Sequence, residues 1–384
     1  MADSQPAHSE LGPSGASRWM ACPGSVTLSK GQPNNSSPAA QEGTAAHEVA
    51  EKCLKEGLDP KSFVGKVVEG WTITDAMVPH ISTYVDMING ESAFATHVGI
   101  EERFVIDKEF DIFGTADAML VQGECLHVID LKFGAGLSVD ARKNKQGMLY
   151  AWGALQSLKP RVRKAIKTIR ITISQPRKDN HSTWELSVAD LELFMHEVRE
   201  AAKKASSGSI ECNIGDWCRW CKGKLRCPAQ NEAVNEMAKT TFDPVTITDK
   251  DLVKVFHIKA AVAQYMDAVD AYLYNQALSG TKFEGLKLVM GRKGNQTWED
   301  KAESIEFLET MVGDEVFKPR DLKTPTQIKE LSPELTREID DLTFRPEGKL
   351  KLASQADRGK EVSVDAGKDA QAIFTTDTIP DKKK

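Results

Sequence analysis

The sequence predicts a mixed α/β protein in which a short series of strands is flanked by helices, followed by a smaller accessory α+β region. Three observations carry this. The runs IEERFVI (100–106), GTADAMLVQ (114–122) and CLHVIDLKF (125–133) are short and apolar or β-branched, separated by glycine and charge as in a β-meander. The segments on either side, TAAHEVAEKCLKEG from residue 44 and KNKQGMLYAWGALQSL at 143–158, are rich in helix formers. With 384 residues, 40% of them apolar and 28% charged, the chain can bury a sizeable core and has length for two domains, which excludes a disulfide-stapled miniprotein and a wholly disordered chain.

The first forty residues are rich in Gly, Ser, Pro and Asn, and GQPNNSSPAAQ (31–41) reads as a loop. Thr44 then suits an N-cap, with His47 and Glu51 four apart on one helix face and Gly57 as the stop. Residues 76–90 suggest a second helix with Pro79 in its first turn. After the three strands and the helix at 143–158, IRITISQP (169–176) reads as a strand and residues 188–205 as a helix. A long helix is expected at 251–280, a strand at 284–290 and a helix at 299–312. The expected division is 1–240, an accessory domain at 241–345, and a weakly ordered tail at 346–384 that ends in DKKK.

No apolar run approaches the roughly 20 residues needed to span a bilayer, and MADSQPAHSE lacks the basic and apolar regions of a secretory signal. The sequence therefore predicts a cytoplasmic protein with no membrane partner. In such a reducing compartment, seven unevenly spread cysteines argue for thiols or metal ligands. The net charge of −6 would by itself argue against a nucleic-acid partner.

Asp130 and Lys132 form D-x-K in VIDLK, two apart and so on one face of a strand, and Asp117 on the preceding strand can lie beside them. Two converging carboxylates make a hard oxygen site suited to Mg²⁺ or Mn²⁺, and an adjacent lysine can orient a nucleophile or neutralise charge on a phosphate. D-x-K alone is more often a solvated surface pair. Here the apolar approach of VIDLK places the charges at the end of a buried strand, where uncompensated charge is costly. Gln146 and Tyr150, four apart on a helix, face the same way.

The ordered set Gly43, Thr44, His47 (G-T-x-x-H), Gly114, Asp117 (G-x-x-D), Asp130, Lys132 (D-x-K) and Gln146, Tyr150 (Q-x-x-x-Y) resembles the PD-(D/E)XK nuclease superfamily. More narrowly it is similar to its RecB-like, Cas4-like iron–sulfur exonucleases of phage or prophage type. That resemblance covers about residues 12 to 230. It implies a restriction-endonuclease-like core with a mixed sheet flanked by helices. It also implies a metal held by His47, Asp117, Asp130 and the backbone carbonyl of Leu131, with Lys132 catalytic and Gln146 and Tyr150 positioning the strand. Asp130 departs from the many relatives that carry Glu, which would shift the metal slightly. Glu51 or Glu102 could support the ligands, and spacing does not choose between them.

Cys218, Cys221 and Cys227 form C-x2-C-x5-C, and three thiolates need a fourth ligand from Cys22, Cys212, Cys53 or Cys125. Cys53 and Cys125 fall within a helix and the hairpin, where free thiols serve as small hydrophobes, whereas Cys22 precedes Pro and Gly in a loop. Spacing allows either a zinc site or a [4Fe-4S] cluster. The family resemblance implies the cluster on Cys22, Cys218, Cys221 and Cys227, stapling the two ends of the nuclease domain.

Residues 159–178 carry eight Lys or Arg and no acid, and the cysteine loop adds Arg219, Lys222, Lys224 and Arg226 beside Trp217 and Trp220. Cations beside aromatics suit a channel that tracks phosphates and stacks bases, which nominates Arg161, Arg163, Lys164, Arg219, Trp220, Lys222 and Lys224 as DNA contacts. The other reading of this stretch is a solvated connection. The function that follows is a Mg²⁺- or Mn²⁺-dependent DNA exonuclease acting on DNA with a free end. The alternatives are a catalytically silent iron–sulfur DNA-binding or scaffold module and an endonuclease for flaps or branches. Flanking segments such as GASRWMACPGS resemble a phage and prophage family, implying work in recombination, replication or repair beside a single-strand annealing or single-strand binding protein.

Overall fold

Near-continuous burial along the central strands marks a sheet whose two faces are both covered. The computed structural model describes residues 9–32, 38–239 and 247–286. In chain order its elements are α1 (Ala16–Trp19), α2 (Gly24–Ser29), α3 (Pro38–Glu56), a small hairpin of β1 (Val67–Val68) and β2 (Trp71–Thr72), α4 (Val78–Ser92), β3 (His97–Asp107), β4 (Ile112–Gln122), β5 (Cys125–Leu131), α5 (Lys145–Ser157), α6 (Pro160–Ala165), β6 (Thr168–Gln175), β7 (Asn180–Ser187), α7 (Val188–Ser206), α8 (Pro228–Lys239) and α9 (Asp249–Leu278). The main sheet has the order β3-β4-β5-β6-β7. All its neighbours are antiparallel except β5 and β6, which run parallel. A parallel pair needs a crossover, and the stretch carrying α5 and α6 supplies it.

The two sheet faces bury separate cores. On one, Val128, Ile171 and Ile173 pack with Leu149 and Ala154 of α5, Leu191 and Val198 of α7, and Trp19 of α1. On the other, Leu120, Ile129 and Leu131 meet Ala46, Val49 and Ala50 of α3 and Ile81, Tyr84 and Ile88 of α4. Trp19 is fully buried and its indole N–H donates to the Gly12 carbonyl at 3.1 Å. Truncating it to alanine should therefore remove about 3–5 kcal/mol. α7 starts on a capping box in which the Ser187 hydroxyl and the Asp190 side chain each satisfy the other's backbone N–H.

Four points differ from expectation. α3 begins at Pro38, not Thr44, whose hydroxyl instead bonds back to the Ala40 carbonyl at 3.0 Å inside the helix. Two short helices stand in the Gly- and Ser-rich leader, anchored by Trp19. β7 is an unforeseen edge strand; its sequence NHSTWELS is polar, and Leu186 is its single buried residue. Residues 284–286 form turn and coil, while the rest of the strand placed at 284–290, the helix at 299–312 and the tail lie outside the described residues. α9 packs against α8 and the cysteine turns. Among the described residues, no helix is long and apolar enough to cross a membrane.

Candidate metal centre and cysteine pocket

The end of β5 carries the first group of chemistry. Asp130 and Lys132 lie on one side of the strand, and the Lys132 ammonium sits 2.7 Å from Asp130 Oδ2. Lys132 N–H extends the parallel pairing by donating to the Ser174 carbonyl at 2.7 Å. α5 starts beside it, capped by Asn144, whose side chain accepts from Gly147 N–H at 3.0 Å. That start places Gln146 so that its Oε1 accepts from Lys132 at 2.9 Å, while its Nε2 donates to Tyr150 Oη at 3.3 Å. The four side chains thus form one chain from carboxylate to phenol. Gly114 keeps β4 clear of it, since a Cβ there would lie 2.9 Å from both Tyr150 and Pro13.

The second group comes from β3, β4 and α3. Register runs Ile100↔Ala118 and Glu102↔Ala116, and between them Glu101 adopts φ 50, a left-handed backbone that glutamate rarely takes. Strict alternation would place Ala116 and Ala118 on one face, yet Ala116 joins the first core and Ala118 the second. The strand therefore flips at Asp117. His47 Nδ1 lies 3.3 Å from Asp117 Oδ1, and Leu131 N–H donates to Asp117 Oδ2 at 2.6 Å. Ligand atoms of His47, Glu101 and Asp117 fall within 4.8 Å of one another.

Electrostatics here is that of charge concentrated in low dielectric. Burial works to discharge His47, but the Asp117 carboxylate outweighs it and holds the imidazole up at about 9. Burial likewise pulls Asp117 upward, and His47 and then Lys132 overcome it, leaving its carboxyl below the usual range. Glu101 is pushed up to about 7 by burial and then by Asp117. Asp130 is raised, first by burial, with Lys132 opposing. Asp130 is 2% exposed, and its Oδ2 has an ion partner but no aligned hydrogen-bond donor. A buried acceptor in that state beside a His and two more carboxylates is a donor set fitted to a hard divalent cation.

All seven residues of the predicted metal and catalytic set, His47, Asp117, Asp130, Leu131, Lys132, Gln146 and Tyr150, meet at this end of β5. The close ligand group differs in membership from the expected one: it contains Glu101, and Asp130 is turned to Lys132. Sequence reasoning missed Glu101 because alternation offers no reason to prefer it over Glu102, and the backbone irregularity decides. Glu51 lines the same cleft but pairs with Lys55 at 2.6 Å, and the Glu102 carboxylate lies over Gly99.

Five cysteines, not four, line one cleft: Cys22 after α1, Cys212, and Cys218, Cys221 and Cys227 on two short 3-10 turns. Cys53 is buried in the α3-side core, and Cys125 opens β5. Four of the five are buried and Cys212 is half-buried. Its thiol is pushed up to about 12 by burial and then by Cys227 and Cys22. Among the described residues, no three of these sulfurs lie within 4.8 Å of one another.

The basic segment divides between the two ends of the sheet. Lys167 N–H donates to the Glu124 carbonyl and Thr168 pairs with Cys125, so Arg161, Arg163 and Lys164 sit at the start of β5, about 16 Å along the strand from Asp130. This is not the end that holds the carboxylates. Lys167 and Arg170 are ion-paired with Glu124 and Glu185. Arg177 and Lys178 are at the carboxylate end, where Arg177 pairs with Glu42 and stacks over Phe133. In the cysteine turns Trp220 is 65% exposed with Arg219 over its ring, and Lys224 donates to the Arg219 carbonyl at 2.9 Å.

A family model described as Protein of unknown function (DUF2800) matches residues 8–360. The chain belongs to the DUF2800 family. Among solved structures, this DUF2800 chain is similar to a candidate exonuclease from Eubacterium rectale at 13% identity and a TM-score of 0.34, over 57% of this chain and 92% of that one.

Proposed function

We propose that the protein is a divalent-metal-dependent deoxyribonuclease of the PD-(D/E)XK type, acting as an exonuclease on DNA with a free end. The observation that supports this most is the Asp130–Lys132–Gln146–Tyr150 chain running beside the His47–Glu101–Asp117 ligand group. Mg²⁺ or Mn²⁺ held by His47, Asp117, Glu101 and Asp130 would supply Lewis-acid polarisation of a phosphodiester and a water acidic enough to be deprotonated near neutral pH. Asp130 fixes the Lys132 ammonium, and Lys132 orients the attacking water and offsets charge that builds on the phosphate. Gln146 limits Lys132 to one direction, and the Tyr150 phenol, kept protonated by burial and by Asp130, holds Gln146. The loaded cysteine pocket is structural in this reading. A single-strand annealing or binding protein is the proposed partner in recombination or replication.

The test is digestion of linear and closed circular DNA, single- and double-stranded, with Mn²⁺, comparing wild type with Lys132→Ala. The expected result is degradation of linear substrates, intact circles, and no activity in the variant. Cleaved circles would point to an endonuclease, and intact DNA in every lane would leave a silent binding module.

A further inference from the structure

Four iron sites need four thiolates, and the cleft offers five. Cys212 is not a bystander at its rim. The Cys212 sulfur lines the same cleft as Cys22 and Cys227 and stands against Gly24, two residues after Cys22. The coil stretch that carries it is pinned to the turn after α1: Gly24 N–H donates to the Glu211 carbonyl at 2.8 Å, and Asn213 Nδ2 donates to the Ala21 carbonyl at 2.9 Å. Asn213 N–H points at Cys22 Sγ at 3.4 Å. Position 24 must be glycine for this approach, because a Cβ would stand 2.7 Å from Cys212 Sγ and 2.8 Å from the Glu211 carbonyl oxygen. The backbone has thus been brought together to seat residues 22 and 212 side by side, while Cys218, Cys221 and Cys227 are fixed by their own turns.

We propose that Cys212 is an alternative fourth ligand, exchangeable with Cys22, at the iron–sulfur cluster of this pocket. The inference rests on the reading of the pocket as a cluster site. The exchange is a ligand substitution with no change of oxidation state: the iron–sulfur bond to Cys22 breaks, one to Cys212 forms, and the proton of the Cys212 thiol passes to the Cys22 sulfur. The consequence is topological. With Cys22 bound, the cluster staples the N-terminal segment to the turns at 218–227. With Cys212 bound the staple is local, and the segment whose Pro13 packs beside Tyr150 and Gly114 is held by packing alone.

The experiment uses the full-length protein purified anaerobically, with Cys22→Ser, Cys212→Ser, the double variant and Cys221→Ser, reading iron and sulfide per chain and the visible spectrum. Each of the first two single variants should keep at least about half of the wild-type iron, and the double variant should fall to about a tenth, as Cys221→Ser does. Loss of iron in Cys22→Ser as complete as in Cys221→Ser overturns the proposal, as does complete loss in Cys212→Ser, which would make Cys212 a fixed ligand. Wild type carrying zinc and no iron removes the cluster itself, a different failure. Because a variant can fail to fold, alkylation of the wild-type holoprotein followed by peptide mass spectrometry gives a second reading: label divided between Cys22 and Cys212 supports exchange, and label confined to one of them overturns it.

Discussion

The carboxylate end of β5 and the cysteine pocket hold their ligands by opposite means. At the first, ligands project from paired strands and from helices that are packed on both sides, and the protein supplies its own counterions: Lys132 stands against Asp130 and protonated His47 against Asp117. At the second, the ligands sit on 3-10 turns and a coil stretch joined by few backbone hydrogen bonds, and the cations at hand, Lys224 in the lining and Arg18 near Cys221, have no carboxylate ligand to pair with there. A site on a rigid ladder survives without its metal; a site on turns depends on what it binds. The contrast predicts that damage to the first affects chemistry and damage to the second affects the fold.

The largest effect tests the rigid half. Lys132→Ala should lower Mn²⁺-dependent DNA degradation by about a thousandfold and leave the melting midpoint within a few degrees; a lowered midpoint would show that the pair holds the fold. Next, Cys221→Ala should bleach the broad absorption near about 400 nm and lower the midpoint by on the order of 10 °C in anaerobic calorimetry. An unchanged midpoint would erase the distinction between the two regions. Glu101→Gln should weaken Mn²⁺ binding about tenfold by titration calorimetry without altering iron content, whereas unchanged affinity would return Glu101 to the structural background.

The same site should respond to pH. His47 is raised from 6.5 to about 9 and Glu101 from 4.5 to about 7, so the metal-free fold binds more protons than the unfolded chain across this range. These groups therefore take stability away as pH rises through about 7 and then about 9. An entering cation must displace those protons, so the Mn²⁺-induced rise in melting midpoint should be larger at about pH 8.5 than at about pH 6. Equal shifts would mean that the two groups are not ligands. Smallest of all, charge reversal at Arg161 and Arg163 should change KM for DNA by no more than about twofold, since they flank the end of β5 away from the carboxylates; a tenfold rise would route the substrate around the sheet.

Much of this was legible from the residues. Apolar and β-branched runs located β3 to β6 within a few positions because both faces of the sheet are covered, and the two-residue spacing of Asp130 and Lys132 set their common side. β7 was not legible, because an edge strand with a solvated face carries polar residues. Glu101 was hidden by a φ of 50 that no pattern of residue types announces. The place of the basic segment was hidden for another reason: charge density along the chain does not say which end of a parallel strand it flanks, and that depends on the crossover.

The pairing of residues 22–24 with residues 211–213 spans 191 positions from Cys22 to Asn213. At a synthesis rate of roughly 5–20 residues per second, about 10 to 40 s separate the emergence of the first ligand from that of the last. During that interval Cys22 is an exposed thiol beside Trp19, without its neighbours. The full cysteine set is therefore a late product of synthesis, complete only after all five strands of the main sheet have been made.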